Sequence, residues 1–195
     1  MSISLSAEPR LTAEPVAAEP VIVEQDYFRL VPLSEGVVQQ APEVIYKDTK
    51  GRLWLVYPDF VLLLKGEQVT RLEVPAFVGK PQVQSEYPKV VEFDDTIVIS
   101  WRDRLISFDP LIQRLVPFRP DDFAISNAKD AIIDLDVDPL GKLWVTTLWE
   151  VLTLTSPSAA FVPVDINIQQ LILDDFALMS LQPNAFGEVW ITSMG

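Results

Sequence analysis

A chain of 195 residues, 49% apolar and 22% charged, has the composition of a packed soluble protein with room for one substantial core or two small ones. Its formal net charge of −13, from 15 Lys plus Arg against 28 Asp plus Glu, argues against electrostatic capture of nucleic acid or of an anionic membrane; solubility is reason enough for such acidity. With no Cys and no His, disulfides, thiolate zinc sites, Ser-His-Asp and Cys-His machinery and imidazole metal ligands are all excluded, so an enzyme here would have to use carboxylates, Lys or Tyr.

Residues 1–20 are small, acidic and punctuated by Pro, with A-E-P at 7–9, 13–15 and 18–20. Too little apolar surface is available there to offset ordering entropy, which predicts a flexible tail; a peptide ligand for a partner is the alternative. The start shows no basic segment followed by an apolar one, so no secretory signal is visible, and no apolar run approaches membrane-span length. V-I-V-E-Q-D-Y-F-R-L-V-P at 21–32 reads as two strands.

From there the chain is β in character. Four strands are expected at 43–48, 52–57, 60–65 and 68–74, and four more at 87–93, 96–101, 104–108 and 112–118. A third set falls at 131–137, 142–147, 151–155 and 160–164, and two final strands at 177–182 and 188–193. The stretch 167–176 is expected to be a loop or one short helical turn.

The units repeat. G-R-L-W around Trp54 returns as G-K-L-W around Trp144 and G-E-V-W around Trp190, with Val98 in the same slot of a degenerate second copy. Asp48, Asp138 and Asn184 each stand three residues before a Gly, which suits a tight turn capped by the carboxylate or amide. The second copy has Asp94-Asp95 and no Gly, so its turn should differ. R-L-V-P at 29–32 and 114–117, with R-L-E-V-P at 71–75 between, marks an outer strand ended by Pro.

Four antiparallel strands repeated every 42 to 47 residues predict an all-β fold, a β-propeller of four-stranded antiparallel blades. Three whole blades (43–74, 87–118 and 131–164) and two remnants (21–32 and 177–195) make up the domain 21–195. Trp54, Trp144 and Trp190 are expected to pack between neighbouring blades. The ring could continue on residues or a chain not given, close on itself as four blades, or be completed by copies of this chain. The stop directly after a strand leans toward a fragment or a multi-chain ring.

The string D-x-x-G-x-L-W-[LVI], best seen in A-I-I-D-L-D-V-D-P-L-G-K-L-W-V-T-T, resembles the two-component regulator propeller repeat, and W-I-T-S-M-G at the end resembles that family's W-I-G-T-x-G. The second unit departs from it, lacking both Gly and Trp. Virginiamycin lyase-like and other sensor propellers carry similar strings, but the lyase branch uses a His that this chain lacks. The resemblance implies an extracytoplasmic sensor module, often of a hybrid histidine kinase, that binds polysaccharide-derived ligands or dimerises on binding. If the start is native and untargeted, a cytoplasmic location follows instead.

By analogy with propellers, the loops joining second to third strands are candidate binding elements. They carry Tyr57 and Asp59, then Trp101, Arg102, Asp103 and Arg104, then Trp149 and Glu150. Aromatic rings beside Arg and acids fit an oligosaccharide or peptide, the rings stacking on C–H faces and the charged groups bonding hydroxyls or amides. The plainer alternative is that Trp101 packs on the next blade and the Arg residues pair locally. The long loops 75–86 and 119–130 add to the same expectation. Asp121-Asp122 and Asp174-Asp175 lack the converging oxygens a calcium ion needs, so neither metal nor other cofactor is expected. A non-catalytic ligand-sensing or protein-binding module is the leading reading; a carbohydrate-active enzyme or lyase on a propeller scaffold and a structural scaffold subunit are the alternatives. Expected partners are an oligosaccharide or peptide and whatever completes the ring, without nucleic acid or membrane.

Overall fold

Short runs of β-branched, Leu and aromatic residues, cut by Asp, Gly and Pro, pair here into antiparallel hairpins. The computed structural model describes residues 41–75, 88–101, 104–118, 131–148, 150–164, 177–184, 186 and 188–194, all within the unit Leu33–Gly195. The tail 1–20, the strands expected at 21–32, residues 76–87 and 119–130 of the long loops and the stretch 167–176 lie outside them. Every regular element among the described residues is a strand, and none is a helix long and apolar enough to cross a membrane.

Blade 1 holds β1 (Val44–Lys47), β2 (Leu53–Val56), β3 (Phe60–Lys65) and β4 (Gln68–Glu73) in sequential order. Blade 2 holds β5 (Val90–Phe93), β6 (Thr96–Trp101), β7 (Arg104–Asp109) and β8 (Arg114–Pro117), and blade 3 holds β9 (Ile132–Val137), β10 (Leu143–Thr147), β11 (Val151–Leu154) and β12 (Val162–Pro163). β13 (Ala177–Pro183) and β14 (Val189–Met194) form a two-stranded blade 4. The chain thus has the expected all-β, propeller-type build of four-stranded antiparallel sheets. The outer strand of blade 3 is only two residues long and ends in Pro, which cannot donate to a further strand.

The turns follow their residues. Asp48 Oδ1 accepts the Arg52 N–H at 2.8 Å, Asp138 Oδ1 accepts those of Leu140 and Lys142 at 2.9 Å, and Asn184 Oδ1 accepts those of Phe186 and Glu188 at 2.9 and 3.0 Å. Gly51 and Gly141 take φ of 74° and 81°, which a side chain would resist. In blade 2, Asp94 and Asp95 have φ of 48° and 62°, a two-residue hairpin turn with both residues left-handed, as Asp tolerates.

Blades pack face to face in succession. Trp54 lies among Val90, Ile97, Ile99, Trp101, Ile106 and Phe108 of blade 2, its ring edge-on to Phe108 at 5.1 Å. Val98 packs toward blade 3 with Leu135, Leu143 and Val145, and Trp144 meets Leu181, Val189 and Ile191 of blade 4. Trp54 and Val98 are fully buried and Trp144 is 9% exposed. Burying a tryptophan removes roughly 150–250 Å² from water, on the order of 4–6 kcal/mol before ordering entropy. Trp190 corrects the expectation. It occupies the same slot, opposite Gln182 as Trp54 is opposite Tyr46, yet it is 67% exposed, because no described blade follows blade 4 to cover that face.

Candidate functional site

The first strand of each blade lines one shared space. Residues of β1, β5, β9 and β13 line an open cavity of about 700 Å³, which makes them the inner strands. Its wall is mixed: Val90, Val91, Leu135, Val137 and Leu181 alternate with the polar and charged Tyr46, Lys89, Glu92, Asp134, Asp136 and Ser180. The repeat puts these groups together. Val44, Lys89, Asp134 and Ser180 hold equivalent places on successive inner strands, each two positions before the residue opposite the tryptophan slot.

Asp134 ties three blades to one another. Its Oδ2 accepts the Ser180 hydroxyl at 3.0 Å and the Leu181 N–H at 2.8 Å from blade 4, while Oδ1 accepts its neighbour Leu135 N–H at 2.9 Å and meets Lys89 Nζ of blade 2 at 3.3 Å. These four contacts give the buried carboxylate of Asp134 a donor on each oxygen, so both are satisfied away from water. Blades 1 and 2 are joined at the turn end, where the Thr49 N–H and hydroxyl both donate to Glu92 at 2.9 and 2.8 Å. Lys50 Nζ adds a bond to the Asp95 carbonyl at 3.3 Å.

Two carboxyl groups beside this wall are pushed in opposite directions. Burial raises Asp136 above the usual carboxylate range, and the Asp134 and Asp138 charges add to it, against the Val137 N–H and Lys89. Asp138 is buried too, but bonds from the Trp144 indole at 2.9 Å and from the Lys142 and Leu140 N–H groups outweigh that burial and hold it low. Tyr46 is raised, first by burial and then by Glu92. A hydroxyl, an ammonium and carboxylates around a cavity of this size can bond the hydroxyls or amides of a small polar ligand. Among the described residues no group of acids is arranged to hold a metal ion.

The described residues among those expected at the loop ends lie away from this cavity. Trp101 is 8% exposed and packs in the blade 1–blade 2 core, because 97, 99 and 101 alternate onto the face of β6 turned toward Trp54. Tyr57 is buried, stacked on Phe60 at 4.6 Å, and burial raises its phenol. Both side chains are thus packing groups and not an exposed platform. Asp59 is exposed, Arg104 stands opposite Trp101 and is half-buried, and Glu150 is half-buried with its N–H bonded to the Thr147 hydroxyl at 3.0 Å. Arg102, Asp103 and Trp149 lie outside the described residues. None of the five that are described, Tyr57, Asp59, Trp101, Arg104 and Glu150, lines the cavity. The signal that would have found the inner wall is the polar series Lys89, Asp134, Ser180, one repeat apart.

No family model and no curated protein matches the chain. Solved structures do. The extracellular domain of BT4673 from B. thetaiotaomicron, a one- or hybrid two-component system, matches with a TM-score of 0.55 at 10% identity, over 77% of this chain and 20% of that one. The extracellular domain of the hybrid two-component system BT3049 from the same organism gives 0.53 at 16% identity, over 75% and 21%. YCF48, solved with a D1 peptide, gives 0.51 at 10% identity, over 78% and 47%. The chain therefore spans about a fifth of the length of the sensor domains it matches, and the likeness is one of fold.

Proposed function

We propose that the chain is a non-catalytic ligand-sensing or protein-binding propeller module, akin to the extracellular regions of two-component regulators and working outside the cytoplasm. One observation carries the reading: four inner strands line one open cavity, and the repeat sets polar groups, Lys89, Asp134 and Ser180, along its wall. The extracellular sensor domains among the structural neighbours support both the module type and the location. The peptide held by YCF48 favours a short peptide alongside an oligosaccharide as the ligand class.

Calorimetric titration of the purified chain with a panel of neutral and acidic oligosaccharides and short peptides tests this. At least one should bind, and Tyr46→Ala and Asp136→Ala should each weaken that binding on the order of tenfold while the fold persists. Binding indifferent to both substitutions would move the site away from the inner strands. Cleavage of an oligosaccharide in the same mixtures would replace sensing with catalysis.

A further inference from the structure

Blades 1 and 2 are both whole, and a second pocket lies in the contact between them. On the outer side of that contact, the β3–β4 hairpin and the turn between β7 and β8 leave a cavity of about 190 Å³, room for one side chain. Leu63, Leu72, Phe108 and Pro110 give it an apolar floor. Its rim is Arg52, Lys65, Gln68, Thr70 and Gln113, and among the described residues no carboxylate lines it. In a chain of net charge −13 that is a local reversal of sign. Screening limits the reach of exposed charges to about 8 Å at physiological ionic strength, so the lining decides what enters. The repeat does not impose this charge. Lys65 stands opposite Gln68, one row beyond the row of Trp54, Leu63 and Thr70, and in blade 2 the same two places hold Asp109 and Arg114.

Donors are held ready at the rim. The Arg52 side chain, 15% exposed, bonds Asp48 through Nε, and among the described residues its two Nη groups meet no acceptor. The Trp54 and Phe108 rings, 5.2 and 5.7 Å from its guanidinium carbon, fix it in place before any ligand arrives. Asp48 balances the charge of Arg52, so Lys65 supplies the net positive charge. An apolar ledge adjoins the mouth. Asp109 Oδ1 accepts the Leu111 and Ile112 N–H groups at 2.8 and 3.4 Å, and Gln113 turns the chain back with φ of 53°. Between the lining residues Pro110 and Gln113, this turn holds Leu111 92% and Ile112 56% exposed. We propose that the pocket is a binding site for an acidic peptide segment, its carboxylate bonded by Lys65 and the Arg52 Nη groups while an apolar neighbour rests on Leu111 and Ile112. The ledge favours a peptide over a small free acid, which would fill the pocket and leave the ledge bare. This site is separate from the inner cavity, and either can fail alone.

Amide chemical shifts of the isotope-labelled 21.9 kDa chain, followed as acetyl-Leu-Glu-Leu-amide is added, read the site directly. Saturable shifts are expected at residues 63–72 and 108–113. The Gln analogue of the peptide, and propionate as the bare side-chain acid, should each bind on the order of tenfold more weakly. Lys65→Glu should abolish the binding and Lys65→Arg should keep it, each with the rest of the spectrum unchanged. Shifts confined to the inner wall, at Lys89, Asp134 and Ser180, would overturn the proposal. So would equal binding of the Gln peptide, propionate binding as tightly as the peptide, or no saturation with any of the three, the mark of a crevice between blades only.

Discussion

The hairpins of blades 1 and 4 are built on one motif. In blade 1 the turn carboxylate Asp48 uses one oxygen on the Arg52 N–H and the other on the Trp54 indole at 2.9 Å, and the Arg52 guanidinium bonds the same carboxylate at 2.6 Å while lying over the indole ring at 5.2 Å. In blade 4, Asn184 gives its carbonyl to the turn N–H groups and its amide to Glu188 at 2.8 Å, leaving no acceptor for the Trp190 indole. The turn forms in both. Only where a carboxylate takes the indole and a following blade covers the ring does the tryptophan become core. Local chemistry therefore sets the hairpin, and the neighbour sets the burial.

The largest effect should separate the two tryptophans. Trp54→Ala opens a cavity between blades 1 and 2 and strips Asp48 of a donor, costing about 3–5 kcal/mol in urea denaturation. Trp190→Ala, at a ring 67% exposed, should change stability by less than about 0.5 kcal/mol. Equal losses would mean that the face of blade 4 is covered after all. Next in size, Asp134→Ala leaves Lys89, Ser180 and the Leu181 N–H short of a partner and should cost about 2–3 kcal/mol. Its counterpart on the open blade, Ser180→Ala, should cost less than about 1 kcal/mol.

Much of this fold was legible because its determinants are local. Alternation and Asp-x-x-Gly turns mark strands within a few residues, and even the degenerate second blade kept its strands because Asp94 and Asp95 accept left-handed backbone. The fate of Trp190 was not legible, since its G-x-[LV]-W motif matches that of Trp54, and neither Asn184 in place of Asp48 nor the motif says whether another blade covers the ring. For Trp101 the sequence left open a ligand-facing ring and a packing residue, and the shared face with Ile97 and Ile99 is the signal for packing. The cavity wall was missed for another reason. Lys89, Asp134 and Ser180 are ordinary polar residues one at a time, and they become a site only when successive blades stack them.

Asp48→Asn converts the blade 1 clasp into the blade 4 arrangement. The new amide would face the Trp54 indole donor to donor, and the loss should be about 1–2 kcal/mol near neutral pH. Burial alone would raise Asp48, but bonds from the Trp54 indole and from the Arg52 N–H and guanidinium more than offset it, so the folded carboxyl sits below its unfolded value. Its contribution is then complete above the ordinary carboxylate range and disappears as pH falls through the depressed folded value. Denaturation midpoints of parent and Asp48→Asn should converge on acidification; a gap that stays constant would mean the clasp does not depend on the charge.

Asp136→Asn should have the smallest effect and the opposite sign. Asp136 and Gln182 hold the same place, opposite the tryptophan of their blades, but Asp136 is half-buried beside Asp134 and Asp138 and its folded carboxyl is raised. A raised carboxyl favours the fold when protonated, so its contribution is present below the unfolded value and is lost as pH rises through the folded one. At neutral pH the ionised group burdens the fold through its burial and its neighbours Asp134 and Asp138, and a neutral amide, as Gln182 supplies at the same place on blade 4, removes that burden. The variant should therefore unfold at a higher urea midpoint than the parent at neutral pH, the advantage fading in acid. A variant less stable at neutral pH would show that Asp136 is held as a carboxylate by a partner in the cavity, and would draw the inner wall of blade 3 further apart from the open face of blade 4.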